Sequence, residues 1–110
     1  MRIIAVDDER IALEGLISAI KKVVPEEIRG FRSSEEALQY VKNNPVDVAF
    51  LDIEMREMNG VTLAKHLKAI CHSINIIFTT GYGEYRECAF ALHASGYVTK
   101  PVTPEKISLK

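Results

Sequence analysis

The 110 residues suit one domain, expected to span 1–110. Apolar residues make up 47%, enough for an ordinary core, and the net charge of −1 offers no basic field for nucleic acid, so no direct nucleic-acid contact is expected of this domain. No apolar run is long enough to cross a bilayer, and the Met1–Val6 run is too short for a signal-peptide core and meets Asp7-Asp8-Glu9 at once. A cytoplasmic protein without membrane contact is expected.

Residues 2–6 read as a first buried strand. Residues 10–24 place Leu13, Leu16, Ile17, Ile20 and Val24 on one face of a helix, which Pro25 closes. A weaker strand over 27–32 centres on Ile28 and Phe31. Ser33 with Glu36 three residues later is a capping-box signature, and it opens a helix with Ala37, Leu38 and Val41 inward. Residues 46–51 form a third strand. A loop leads to a third helix from about Gly60 to His72, with Leu63, Ala64, Leu67 and Ile70 buried. Residues 74–79 form a fourth strand, Thr80 to Gly83 a loop, and about 84–94 a fourth helix on Cys88, Ala89 and Leu92. Gly96 to Thr99 is a fifth strand. Thr103 caps a last helix whose first residue is Pro104, a favourable opening position. That helix has only about two turns, too few to be stable without packing, which points to an incomplete last helix or a disordered end.

Strand and helix thus alternate five times, the pattern of a parallel sheet covered on both faces. The expected fold is α/β, a doubly wound five-stranded parallel sheet of order 2-1-3-4-5. Cys71 and Cys88 sit inside apolar helical patterns and read as small hydrophobes. His66, His72 and His93 are scattered along helical segments and form no zinc spacing.

The informative residues stand at strand C-termini, where ligands bind in open parallel sheets. Asp7 and Asp8 follow the first strand, Asp52 the third, Thr80 the fourth and Lys100 the fifth. One aspartate capping the first helix would be unremarkable, but a cap accounts for neither Asp52 nor the Lys100-Pro101 pair. Three close carboxylates repel one another, so without a cation one of them should have a raised pKa. A hard divalent ion would relieve the repulsion and keep Asp52 ionised. An ionised carboxylate attacks phosphorus to give an acyl phosphate, and phosphoryl transfer needs mainly positioning and charge neutralisation. Lys100 would neutralise the side away from the metal, and the Thr80 hydroxyl would bond a phosphoryl oxygen.

Five motifs in order carry a resemblance that covers essentially the whole chain: Val6-Asp7-Asp8-Glu9, Phe50-Leu51-Asp52-Ile53-Glu54-Met55, Met58-Asn59-Gly60, Phe78-Thr79-Thr80-Gly81 and Tyr97-Val98-Thr99-Lys100-Pro101. The chain resembles the receiver domain of two-component response regulators, and most of all receivers of the LytR/AlgR type, which usually precede a DNA-binding output domain. The resemblance implies a flavodoxin-like receiver fold and a phosphoacceptor role for Asp52, served by a sensor histidine kinase. It implies Mg²⁺ or Mn²⁺ held by Asp8 and Asp52, with Asp7 acting directly or through water and the backbone carbonyl of Glu54 as a further ligand. Lys100 would pair with the phosphoryl group, Thr80 and Tyr97 would be the switch residues, and the peptide before Pro101 would be cis. Phosphorylation would change a surface formed by the fourth helix, the fifth strand and the last helix, which a partner or a second copy of the chain would read. The output domain, expected to serve transcription control, would lie outside these 110 residues.

Two departures from the usual receiver pattern stand out. Arg56 replaces the common proline, which suggests a looser loop, and Gly81 and Gly83 flank Tyr82. Glu54 and Tyr82 occupy positions that influence phosphoryl lifetime in receivers. The implied role is that of a signalling switch that catalyses only its own phosphorylation and dephosphorylation. The alternatives are a phosphatase or phosphotransferase using Asp52 and Glu54, for which no cap domain is present, and a pseudo-receiver, against which the intact Asp8, Asp52, Thr80 and Lys100 set argues.

Overall fold

The computed structural model describes residues 1–81 and 96–108. The expected fourth helix lies outside these residues, as do Tyr82, Gly83, Cys88 and His93. Among the described residues the order is β1 (Ile3–Val6), α1 (Arg10–Val23), β2 (Ile28–Phe31), α2 (Ser34–Asn43), β3 (Val48–Asp52), α3 (Gly60–Ile70), β4 (Asn75–Thr80), β5 (Gly96–Thr99) and a C-terminal helix (Pro104–Ser108). The five strands form one sheet of order β2-β1-β3-β4-β5, with every neighbouring pair parallel. This is the fold the sequence predicts.

The inner strands β1, β3 and β4 are buried along nearly all their length because both faces of the sheet are covered. Every residue of β1 is buried, and successive side chains enter different cores. Ile4 and Val6 pack with Ala37 and Val41 of α2 and with Leu63 and Leu67 of α3. Ile3 and Ala5 pack with Leu13, Leu16 and Ile20 of α1 and with Ile107 of the C-terminal helix. At the edge of the sheet, β2 buries only its end residues, Ile28 and Phe31. Its weaker apolar pattern reflects that position.

The helix ends follow the local chemistry. The Ser33 hydroxyl caps α2 by accepting from the Glu36 N–H at 3.3 Å, and the Asn59 side chain caps α3 by accepting from the Thr62 N–H at 2.9 Å. Thr103 accepts from the Lys106 N–H at 3.3 Å. The structure corrects two details. The third strand starts at Val48 and includes Asp52, so the carboxylate is held by the sheet ladder itself. The third helix ends at Ile70, which is 40% exposed rather than buried. The apolar stripe runs along the i+4 row from Leu63 through Leu67 to Cys71, and Cys71 takes the place on the core that the periodicity also offered Ile70.

Gly60 opens α3 where the helix meets β3. Its N–H donates to the Ile53 carbonyl at 2.8 Å, and a Cβ here would collide with the Asp52 carbonyl oxygen and lie 2.9 Å from Ile53 Cα. The obstacle is backbone, which cannot turn aside as a side chain can. Gly60→Ala is expected to cost about 1–3 kcal/mol, read as a lowered midpoint in urea unfolding. An unchanged midpoint would show that the helix start shifts freely.

Candidate functional site

The C-terminal ends of β1, β3 and β5 bring together the residues that the sequence placed there. Asp7 follows β1 directly, and its N–H continues the ladder to the Phe31 carbonyl at 3.1 Å. Asp52 ends β3, and Lys100 follows β5, with its N–H bonded to the Thr80 carbonyl at 2.8 Å. The Lys100 ammonium lies 3.2 Å from Asp7 Oδ2 and 3.2 Å from Asp52 Oδ1. Both carboxylates are almost fully buried, while about a third of the lysine side chain reaches solvent.

The cap reading of the aspartate pair does not hold. The residue before α1 is Glu9, whose side chain makes no capping bond. Asp7 accepts from the Glu9 N–H at 3.0 Å, which fixes its carboxylate at the strand end while its other oxygen meets Lys100.

Asp7, Asp8 and Asp52 each offer a carboxylate oxygen, all within 4.8 Å of one another. Oxygens around one octahedral Mg²⁺ stand about 3–4.2 Å apart, given metal–oxygen distances near 2.1 Å. A small closure of the three side chains, or a bridging water on one of them, therefore makes a site for a hard dication, and the all-oxygen donor set suits that ion. The Glu54 side chain is exposed.

The expected raised pKa belongs to Asp52, pushed up from 3.8 to about 6. Burial is the largest cause and the charge of Asp7 the second, while Lys100 and the Glu54 N–H pull it back. Carboxylate repulsion is thus real but secondary to burial. Lys100 goes the other way. Burial opposes its charge, yet Asp52 and Asp7 together outweigh burial and raise its pKa above the usual 10.5.

Thr80 is buried at the end of β4, one residue beyond Thr79, the cross-strand partner of Asp52. Tyr97 is half-buried on β5 opposite Phe78 and packs against the core shared with α2 and α3. The Lys100–Pro101 peptide is cis.

Four contributors escaped the sequence. The Lys106 ammonium donates to the Thr99 and Pro101 carbonyls, each at 3.0 Å, and so ties down the turn that carries Lys100. No spacing rule announces that contact. The Arg56 N–H donates to Asp8 Oδ2 at 2.9 Å, with Arg56 Nε 3.6 Å from the same oxygen. The missing proline was the available signal, since only a non-proline residue has an N–H to give. Glu57 Oε1 accepts from Ser33 Oγ at 3.1 Å and from the Glu35 N–H at 3.3 Å, and Ser34 Oγ donates to the Met58 carbonyl at 2.9 Å. The loop after Asp52 is therefore bonded to β1's end and to the start of α2, contrary to the looser loop suggested by Arg56. A larger hollow of about 540 Å³ opens at the opposite end of the strands, lined by Arg2, Arg29, Tyr40 and Asp47, and carries none of these residues.

Comparison with known proteins shows the family. The response regulator receiver domain pattern matches residues 3–110. The sensory transduction protein LytT of Bacillus subtilis is 35% identical over 108 residues, covering 97% of this chain and 45% of that protein. The transcriptional regulatory protein YpdB of Escherichia coli is 35% identical over 109 residues, covering 98% and 45%. The crystal structure of the response regulatory domain of protein mrkE from Klebsiella pneumoniae superposes with a TM-score of 0.89 at 33% identity, covering 99% of this chain and 90% of that one. The chain belongs to the receiver domain family of two-component response regulators. It spans less than half the length of the curated relatives named here. Among the described residues, no helix is long and apolar enough to cross a membrane.

The Asp52 shift sets a pH dependence for the metal-free protein. Between 3.8 and about 6 the folded state holds more protons than the unfolded one, so stability falls as pH rises through this window. The stabilising contribution is complete below 3.8 and lost above 6. It amounts to about 3 kcal/mol, a figure that already includes the attraction of Lys100. In EDTA, Asp52→Asn is expected to melt above the wild type at pH 8, with the gap closing toward pH 4, as followed by circular dichroism. A gap independent of pH would refute this reading of Asp52.

Proposed function

We propose that the chain is a phosphoacceptor switch in which Asp52 takes a phosphoryl group from the phosphohistidine of a sensor histidine kinase. The observation that carries this reading is the buried Asp52 carboxylate held between Lys100 and two further aspartates at one sheet edge. Asp8 and Asp52 would hold the divalent cation, Mg²⁺ or Mn²⁺, with Asp7 directly or through water and the Glu54 backbone carbonyl as a further ligand. When bound, the cation neutralises charge on the phosphoryl oxygens and on the carboxylates. An Asp52 oxygen then forms a bond to phosphorus as the phosphorus–nitrogen bond to the histidine breaks, and the leaving imidazole takes up a proton. Lys100 turns from Asp7 and Asp52 toward the new phosphoryl group, and the Thr80 hydroxyl donates to one of its oxygens.

The chemistry is confined to the chain's own phosphorylation and dephosphorylation, so the domain is a switch and not a turnover enzyme. Membership of the receiver family supports this over the phosphatase reading. The added charge favours a state in which Thr80 moves toward Asp52 and Tyr97 shifts into the space vacated, a displacement of a pre-existing equilibrium. The affected surface comprises the segment between β4 and β5, β5 itself and the C-terminal helix, and a second copy of the chain or another partner reads it there. The domain occupies 1–110 and works in the cytoplasm without itself touching nucleic acid or membrane. The relatives with transcriptional names are about twice as long, which supports a separate output domain for transcription control.

Intact-mass spectra after incubation with a small acyl phosphate are expected to show the mass of one added phosphoryl group with Mg²⁺ and none in EDTA. Asp52→Asn should abolish the addition. Equal labelling of Asp52→Asn would move the site elsewhere. For the switch, amide NMR shifts with a stable phosphoryl mimic are expected to extend to residues 96–104. Changes confined to the loops around Asp8 and Asp52 would rule out that surface.

A further inference from the structure

Arg56 stands at the margin of the acidic cluster and makes two contacts of different kinds with the same Asp8 oxygen. The 2.9 Å bond comes from its backbone N–H. That backbone is fixed, because Met55 beside it is buried, Glu57 is bonded to Ser33 and Glu35, and the Met58 carbonyl is bonded to Ser34. The 3.6 Å contact comes from a guanidinium whose side chain is 89% exposed. Among the described residues, a weak surface ion pair is all that holds that group, and it can swing into solvent.

Charge gives the arrangement a meaning. With all three carboxylates ionised, Lys100 offsets one charge from the side of Asp7 and Asp52, and Arg56 offsets a second from the side of Asp8. Arg56 thus makes the field that an arriving dication meets less negative by one charge, beside the Arg32 guanidinium that donates to the Asp8 carbonyl at 3.4 Å. We propose that Arg56 is a built-in counter-cation that competes with the divalent metal for Asp8, its guanidinium lowering metal affinity while its N–H keeps the Asp8 carboxylate aimed at the site. Arg56 is in this sense a positioning and affinity-setting residue, and its role rests on the metal-binding reading given above. The protein thereby tolerates its metal-free state, in which the arginine supplies part of the charge that the cation would bring.

The test uses Mn²⁺ alone, with free ion counted by electron paramagnetic resonance at pH 8 and low ionic strength. Removing one positive charge several ångströms from a dication in a water-like dielectric should tighten binding, so Arg56→Ala is expected to bind Mn²⁺ about three- to tenfold more tightly than the wild type. Arg56→Lys keeps the charge and should stay within about twofold of the wild type. The gain in Arg56→Ala should collapse at about 0.5 M salt, where the screening length is a few ångströms. Arg56→Ala retains the N–H, and its truncated side chain is exposed, so folding is not at stake. Unchanged or weaker affinity in Arg56→Ala at low salt, with Asp8→Asn still losing Mn²⁺, would overturn the role of Arg56 alone. Equal Mn²⁺ binding by the wild type and Asp8→Asn, or none by either, would overturn the metal site and this role with it.

Discussion

The Lys100 ammonium, 3.2 Å from both Asp7 and Asp52, is the contact around which the molecule is arranged. It joins residues 93 positions apart in the chain, and it does so only because β1, β3 and β5 are parallel strands ending at one edge. Two nearly buried carboxylates side by side would be untenable without it. The attraction is incomplete, since Asp52 still rises to about 6, and this incompleteness makes the site chemically poised. The group is stable enough to exist, yet gains from any further positive charge brought to it.

The surrounding structure keeps that pair in register. The Lys106 ammonium fastens the backbone on both sides of Lys100, and the Glu9 N–H and the ladder bond to Phe31 fasten Asp7. On the other side, Arg56, Glu57 and Ser34 bind the loop after Asp52 to Asp8 and to the start of α2. The charged edge thus rests on rigid elements with short tethers, which is what a site needs if its geometry is to persist through a change of charge. Similarity to the mrkE receiver across 99% of the chain shows the same framework in another protein.

The fold was legible because apolar runs such as Ile3–Val6 and the helical stripe from Leu13 to Ile20 have no other economical placement. The charged constellation was legible for a related reason: an aspartate or lysine directly after a buried strand has few structural duties. What escaped were contacts that depend on where a loop or a long side chain comes to rest. Ile70 and Cys71 both satisfied the helical period, and only packing chose between them. Lys106 reads as any surface lysine near a helix start. Arg56 reads as a loosened loop, because the absence of proline announces freedom, whereas the N–H that comes with that absence was put to use on Asp8.

Gly60 has a mechanical consequence beyond its sterics. The start of α3 abuts the carbonyl of Asp52 with no side chain between them, so backbone touches backbone. Soft joints in proteins are made of side chains that rotate, and here there is none to take up slack. The Asp52 main chain and the start of α3 are therefore in direct contact, and Leu63 and Leu67 anchor that helix in the core beneath the sheet. The strand that ends in Asp52 and this helix thus meet backbone to backbone, with the Asn59 cap at the joint.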